Sequence, residues 1–163
     1  MNKISKKHKS YDESRGLKYF QNVLVILWGM LLSIFIFVEN LESLFLTKKP
    51  DFTWNKSPDF SSFFNFYDIT LIHPWWFMVK GGHFLGFAIL KLLLYVKSKN
   101  LIVATIISIL FAGFTEILQL FFGRDGRLYD VVIDSMGILI ALLLVKVYHS
   151  IGLTTRKTLS QNK

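Results

Sequence analysis

The sequence predicts an all-α integral membrane protein, a four-transmembrane-helix bundle with an aromatic extracellular loop. Three observations point there. Just over half of the residues, 52%, are hydrophobic and 16% are aromatic, with a mean hydropathy of +0.43. That is more apolar than an ordinary soluble domain. The apolar residues fall in four long runs separated by short charged segments, the pattern a bilayer imposes and an aqueous core does not. Nearly all charges sit between or beyond those runs.

The elements follow in order. Residues 1–18 carry Lys3, Lys6, Lys7, Lys9, Arg15 and Lys18 against Asp12 and Glu13, with no apolar run, and read as a mobile basic cytoplasmic tail. Tyr19 to Val38 is a run of about 20 uncharged residues, enough to cross about 30 Å of hydrocarbon at about 1.5 Å per helical residue. It ends in Glu39-Asn40-Leu41-Glu42, not at a small-residue cleavage site, so it reads as a retained span and not a signal peptide. Glu39 to His73 is the longest connection. It holds Pro50, Pro58 and the aromatics Trp54, Phe60, Phe63, Phe64, Phe66 and Tyr67, which suit the membrane interface and could serve as a lid.

Pro74 opens the second span, about 75–96, because a first helical turn does not need the missing N–H. Lys97-Ser98-Lys99-Asn100 is a tight basic turn before the third span, about 101–122. Gly123-Arg124-Asp125-Gly126-Arg127 then leads to the fourth, about 128–149, and residues 151–163 form a polar tail. The membrane domain therefore covers 19–150.

The net charge of +8 raises nucleic acid as a partner. However, the basic residues form no helix face and are not interleaved with an aromatic RNA motif, so nucleic acid is excluded. They set topology instead. One side holds the six basic residues of the tail with Lys97, Lys99, Lys146, Arg156, Lys157 and Lys163; the other holds Lys48, Lys49, Lys56, Arg124 and Arg127. Both termini are expected in the cytoplasm, with the aromatic loop and the 123–127 turn outside. The chain has no cysteine, which removes disulfides, thiolate metal sites and cysteine nucleophiles.

Against this topology the ionisable residues inside the spans stand out, since each is costly in hydrocarbon unless paired or hydrated. Lys91 lies near the cytoplasmic end of its helix and is expected to snorkel to the interface. Lys80, His83, Glu116, Gln119, Asp130 and Asp134 share one depth, within about 10 Å of the outer boundary. Lys80 and His83 are i, i+3; Glu116 and Gln119 are i, i+3; Asp130 and Asp134 are i, i+4, so each pair occupies one helix face that can turn into the bundle. Lys80 and Arg124 would nearly compensate the three carboxylates, and His83 could titrate near neutrality. Gly81-Gly82 is expected to let a neighbouring backbone approach closely. Ion pairs that merely hold helices in register are the plain alternative. An ionisable group within a membrane nonetheless marks a functional site by default, and here five gather in one layer.

The same residues carry a family resemblance. Lys80-Gly81-Gly82-His83-Phe84, Thr115-Glu116-Ile117-Leu118-Gln119, and the stretch from Arg124 through Asp130 and Asp134 to Gly137 resemble the three ordered motifs of the VanZ-like membrane proteins, K-x-x-H, T-E-x-x-Q and R-x-x-x-x-x-D-x-x-x-[ND]-x-x-G. The chain departs from them at Ala141, where many members carry a second glycine, and at Asp134, where asparagine is frequent. The resemblance implies a bacterial cell-membrane protein of the envelope, linked to low-level resistance to the lipoglycopeptide teicoplanin. It leaves the reaction and any cofactor undefined.

Two functional classes follow. In the first, an outward polar pocket of Lys80, His83, Glu116, Gln119, Arg124, Asp130 and Asp134 holds the headgroup of a membrane lipid or lipid-linked cell-wall intermediate. Lys80 and Arg124 would meet the phosphate. In the second, the protein is an intramembrane acid–base enzyme with His83, Glu116 and Asp134 as catalytic groups and Ser135 or water as nucleophile. A divalent metal on His83, Glu116, Asp130 and Asp134 is a variant of the second. A small transporter or partner subunit is a third reading, with a homo-oligomer or another membrane protein supplying further helices.

Overall fold

A computed structural model describes residues 3–38, 52–67 and 76–161, with side chains for 15–38, 52–67 and 77–152. Four long helices make up the fold: α1 (Lys3–Phe37), α2 (Trp76–Ser98), α3 (Leu101–Gln119) and α4 (Leu128–Gln161). Among the described residues there is no strand. All four helices are long and apolar enough to cross a membrane, over Arg15–Phe37, Phe77–Ser98, Leu101–Phe122 and Leu128–Gly152. The spans expected from the apolar runs therefore hold within a few residues. Pro74 and its neighbours His73 and Trp75 lie outside the described residues.

Two helices are longer than expected. α1 extends back through the basic segment to Lys3, and α4 runs on to Gln161. Neither extension contains a proline, and each continues an already nucleated helix, so adding residues requires only propagation.

The turns follow from local chemistry. Asn100 caps α3: its Oδ1 accepts the amides of Ile102 and Val103 at 3.0 and 3.1 Å, satisfying two of the orphan donors of a first turn. Lys99 reverses the chain at φ 55°. At the other end, α3 tightens into a 3-10 turn, Leu120–Phe122, and Gly123 ends it in the left-handed region at φ 66°. Glycine takes that conformation without the Cβ penalty of other residues.

α2 and α4 form the most extensive helix contact; α3 packs on both, and α1 lies chiefly against α2. The core joins Leu32 and Ile36 of α1 to Phe87 and Leu90 of α2, Ala112 of α3 and Ile138 of α4. Close approach depends on Gly137, where a Cβ would fall 2.2 Å from the carbonyl oxygen of Phe84. Around Gly81 and Gly82, by contrast, an added Cβ would meet nothing within 4 Å. The tight contact expected there is made by Gly137 and Gly86 instead. Gly86 accepts α1, its carbonyl taking the Trp28 indole N–H at 3.0 Å, which gives that donor a partner inside the apolar span.

Lys91 also departs from expectation. It does not snorkel: it is fully buried, and its ammonium donates to the Ala141 carbonyl at 3.2 Å while lying over the Tyr95 ring. An acceptor on α4 and an aromatic face on its own helix hold it in the bundle.

Of the aromatic connection, residues 52–67 are described, and their rings meet the end of the bundle. Trp54 stacks on Phe121 and sets its edge to Phe122, Phe60 meets Phe121 edge-on, and Phe66 lies against Tyr129. The Asn55 amide donates to the Phe121 carbonyl at 2.7 Å.

Candidate functional site

The polar layer forms at the end of the bundle that carries residues 52–67. α2 supplies Lys80 and His83 from its first two turns, α3 supplies Glu116 and Gln119 from its last, and α4 supplies Asp130 and Asp134 from its first two. Glu116, Gln119, Asp130 and Asp134 are all buried. The i, i+3 and i, i+4 spacings do turn these pairs inward.

Within the layer the groups sort into two arrangements. Lys80 and Asp130 close on each other, the ammonium lying 2.6 Å from Oδ2 and 2.5 Å from Oδ1, and the Tyr129 ring covers the same ammonium at 5.0 Å. The second arrangement is open. His83 Nδ1 stands 3.6 Å from Glu116 Oε1 and 3.5 Å from Asp134 Oδ1, farther than a good hydrogen bond. Among the described residues, His83 Nδ1 and both Asp134 oxygens are buried without a hydrogen-bond partner.

Glu116 is held more firmly. Gln119 Nε2 donates to its Oε1 at 2.6 Å, and the Arg127 backbone N–H donates to its Oε2 at 3.2 Å. This fixes the carboxylate plane and leaves Oε1 facing His83. Gly126 makes the second contact sterically feasible, since a Cβ there would lie 1.9 Å from the Glu116 carbonyl oxygen.

Arg124 does not join the carboxylates by a hydrogen bond. Its Nη1 donates to the Val38 carbonyl at 2.6 Å, at the C-terminal end of α1, where carbonyls and the helix dipole favour a cation. Burial pushes the guanidinium below its usual pKa, while Glu116, Asp130 and Asp125 act in the opposite direction. Lys80 and Arg124, expected to meet a phosphate together, thus each have an internal partner. Ser135, considered as a nucleophile, makes no hydrogen bond to His83, Glu116 or Asp134 among the described residues.

Arg127 was read from sequence only as a topological charge, yet it is buried. Its guanidinium donates to the Ser62 carbonyl and lies 3.3 Å from Asp125, joining the 52–67 segment to the layer. The one sequence signal for this is the shortness of the 123–127 turn, which keeps both arginines near the acidic groups.

Beside the layer, α1 and α2 enclose an apolar groove of about 310 Å³. Trp28, Leu32 and Phe35 line one wall, and Met78, Gly82 and Ile89 line the other; among the described residues His83 is its only ionisable lining residue. Gly82 leaves the groove open because no side chain enters it. The groove spans about 11 residues of α2, roughly 16 Å along the helix.

Comparison with known proteins gives the family that the chain matches. Residues 4–149 match the VanZ/LLP1 family. YwnJ, an uncharacterised membrane protein of Bacillus subtilis (strain 168), is 34% identical over 113 residues, which cover 68% of this chain and 79% of the relative. No solved structure matches the chain.

Proposed function

Because the chain belongs to the VanZ/LLP1 family of membrane proteins and its polar layer opens on an apolar groove, we propose that it binds the anionic headgroup of a lipid or lipid-linked envelope component. The polar layer lies in this reading at the outer face of the cell membrane, as the distribution of basic residues predicts. The observation that carries the reading is the groove. One histidine, His83, lines it and also belongs to the buried polar cluster, so an acyl or prenyl chain in the groove would bring its headgroup to that cluster. Sites for such ligands combine a mostly apolar wall with a few convergent polar groups.

Lys80 supplies the cationic side. Its ammonium keeps 17% exposure beside Asp130, and it carries three donors, so it can meet a phosphate oxygen without leaving its partner. Arg124 contributes its charge at a distance. In cells the expected readout is the low-level teicoplanin tolerance that the family resemblance implies.

Gly82→Phe tests the groove. The new ring would enter space where a Cβ meets nothing within 4 Å, so the bundle should fold. Filling an apolar site costs about 1–3 kcal/mol of chain binding, on the order of tenfold in affinity. Lipid retained through purification in mild detergent, measured by mass spectrometry, should fall accordingly, and teicoplanin tolerance with it. A folded Gly82→Phe variant with wild-type lipid content and tolerance would sink the reading.

A further inference from the structure

The open arrangement in the polar layer has a shape of its own. Its donors come from three helices: His83 Nδ1 from α2, Glu116 Oε1 from α3 and an Asp134 oxygen from α4. All three atoms lie within 4.8 Å of one another. The spacings from Nδ1 of 3.5 and 3.6 Å are too long for hydrogen bonds but close to what a shared metal ion requires. Ligands at about 2.1 Å from a tetrahedral ion are about 3.4 Å apart.

Charge points the same way. Asp130 takes the Lys80 ammonium, and Arg124 turns to the Val38 carbonyl. Among the described residues, no lysine or arginine forms an ion pair with Glu116 or Asp134. Among the described residues the two buried carboxylates therefore share His83 as their ionisable partner, with no lysine or arginine in ion-pair contact, and Asp134, with no exposed surface, has neither oxygen hydrogen-bonded. A single dication would balance both carboxylates and satisfy the orphaned oxygens.

The surroundings are those of a ligand set and not of loose acids. Gln119 and the Arg127 amide orient the Glu116 carboxylate as outer-shell partners orient metal ligands. Asp130 is excluded by its ion pair, so the set is one nitrogen and two oxygens.

We propose that His83, Glu116 and Asp134 form a divalent transition-metal site, with zinc the expected ion and one coordination position open toward the groove. An imidazole nitrogen with two carboxylates suits zinc or manganese better than calcium or magnesium, which favour all-oxygen shells. Three protein ligands leave a position for water or an incoming oxygen. The metal stands on this geometry alone. On the lipid reading above, it names the group that a phosphate oxygen of the headgroup would meet.

The test uses the full chain purified in detergent, stripped with chelator and then equilibrated with zinc, manganese or magnesium in turn. Bound metal is measured by inductively coupled plasma mass spectrometry. Wild type should retain about one zinc per chain, with His83→Ala and Asp134→Ala reduced at least about tenfold in affinity, as loss of one ligand or its support commonly does. Asp134→His, which keeps a donor, should recover binding, and Lys91→Met, distant from the cluster, should bind as wild type does. Circular dichroism confirms that each variant remains helical. Folded wild type that retains neither zinc nor manganese overturns the proposal, even if magnesium binds, as does retention undiminished in both His83→Ala and Asp134→Ala. Gly82→Phe separates the two readings. Its failure to change lipid content while zinc stays bound removes the lipid reading alone; lipid loss on groove filling in a protein that binds no metal removes the metal alone.

Discussion

Lys80 with Asp130, and His83 with Glu116 and Asp134, lie in the same layer of the same three-helix contact, yet they are built on opposite principles. The first is closed: a bidentate ion pair under an aromatic ring. The second is open: among the described residues His83 Nδ1 and both Asp134 oxygens have no hydrogen-bond partner, beside a glutamate held in place by two donors. A layer made only to hold helices in register would close every pair, because an unpaired charge in a low-dielectric interior lowers stability. The contrast separates groups that close on each other from groups that do not, and on the readings proposed above the second set is the one that meets a ligand.

The largest expected effect breaks that comparison most directly. Lys80→Met leaves the Asp130 carboxylate buried without its partner and should destabilise the protein by about 3 kcal/mol, the low end for a broken buried pair because the ammonium is partly exposed. Adding Asp130→Leu should restore stability to within about 1 kcal/mol of wild type, since replacing both partners removes the uncompensated charge. In metal-free protein, Asp134→Asn should be neutral or stabilising, as it removes a buried charge that no lysine or arginine pairs with among the described residues. Denaturant unfolding followed by circular dichroism measures all three. If Asp134→Asn costs as much as Lys80→Met, the two arrangements are not different in kind. With saturating zinc the order should shift, because Asp134→Asn then forfeits the stabilisation that ligand binding adds to the folded state.

The next effect makes the same contrast in the backbone. Gly137→Ala would drive a methyl against the Phe84 backbone at the α2–α4 contact, and Gly126→Ala would drive one against the Glu116 carbonyl. Each should cost about 2 kcal/mol, in the range for overpacking, with backbone unable to yield. Gly82→Ala, where a Cβ meets nothing, should be tolerated within about 0.5 kcal/mol, as substitutions away from packed contacts usually are. Equal losses at all three glycines would show that the groove beside Gly82 is part of the packed bundle and not an opening.

How much of this was legible in the sequence depends on which interaction carries it. The four spans were, because apolar runs of about 20 residues are the bilayer's own signature. So was the level that the polar residues share along the three helices, because helical rise converts residue spacing into distance and the i, i+3 and i, i+4 pairs share faces. That Lys80 would meet a carboxylate follows from charge, but that it is Asp130 among the three does not. Arg124 was not predictable, because its acceptor is the backbone carbonyl of Val38, and a backbone group leaves no mark in side-chain chemistry. Nor was the choice between glycines: Gly81-Gly82 and Gly137 look alike as letters, and only the helix crossing decides which one faces a backbone. The helical extensions beyond the spans were missed for a related reason. Charged residues end an apolar run without ending a helix.

The smallest expected effect has the most informative sign. Lys91 is as deeply buried as any residue of the core. Its ammonium has one carbonyl acceptor, Ala141, and the face of Tyr95, and no carboxylate pairs with it among the described residues. Three donors with one acceptor, inside an apolar span, leave most of the lost hydration unreplaced. Lys91→Met keeps a long flexible chain of similar reach, removes the charge and adds dispersion contacts. It should stabilise the protein by about 1 kcal/mol, measured in the same unfolding experiment. The identical substitution at Lys80 is expected to cost about 3 kcal/mol, and the difference lies wholly in whether a carboxylate waits on α4. A loss at Lys91 comparable to that at Lys80 would mean that cations in this bundle are held by carbonyls and rings as firmly as by carboxylates. The open arrangement around Asp134 would then no longer be exceptional in lacking a lysine or arginine partner among the described residues.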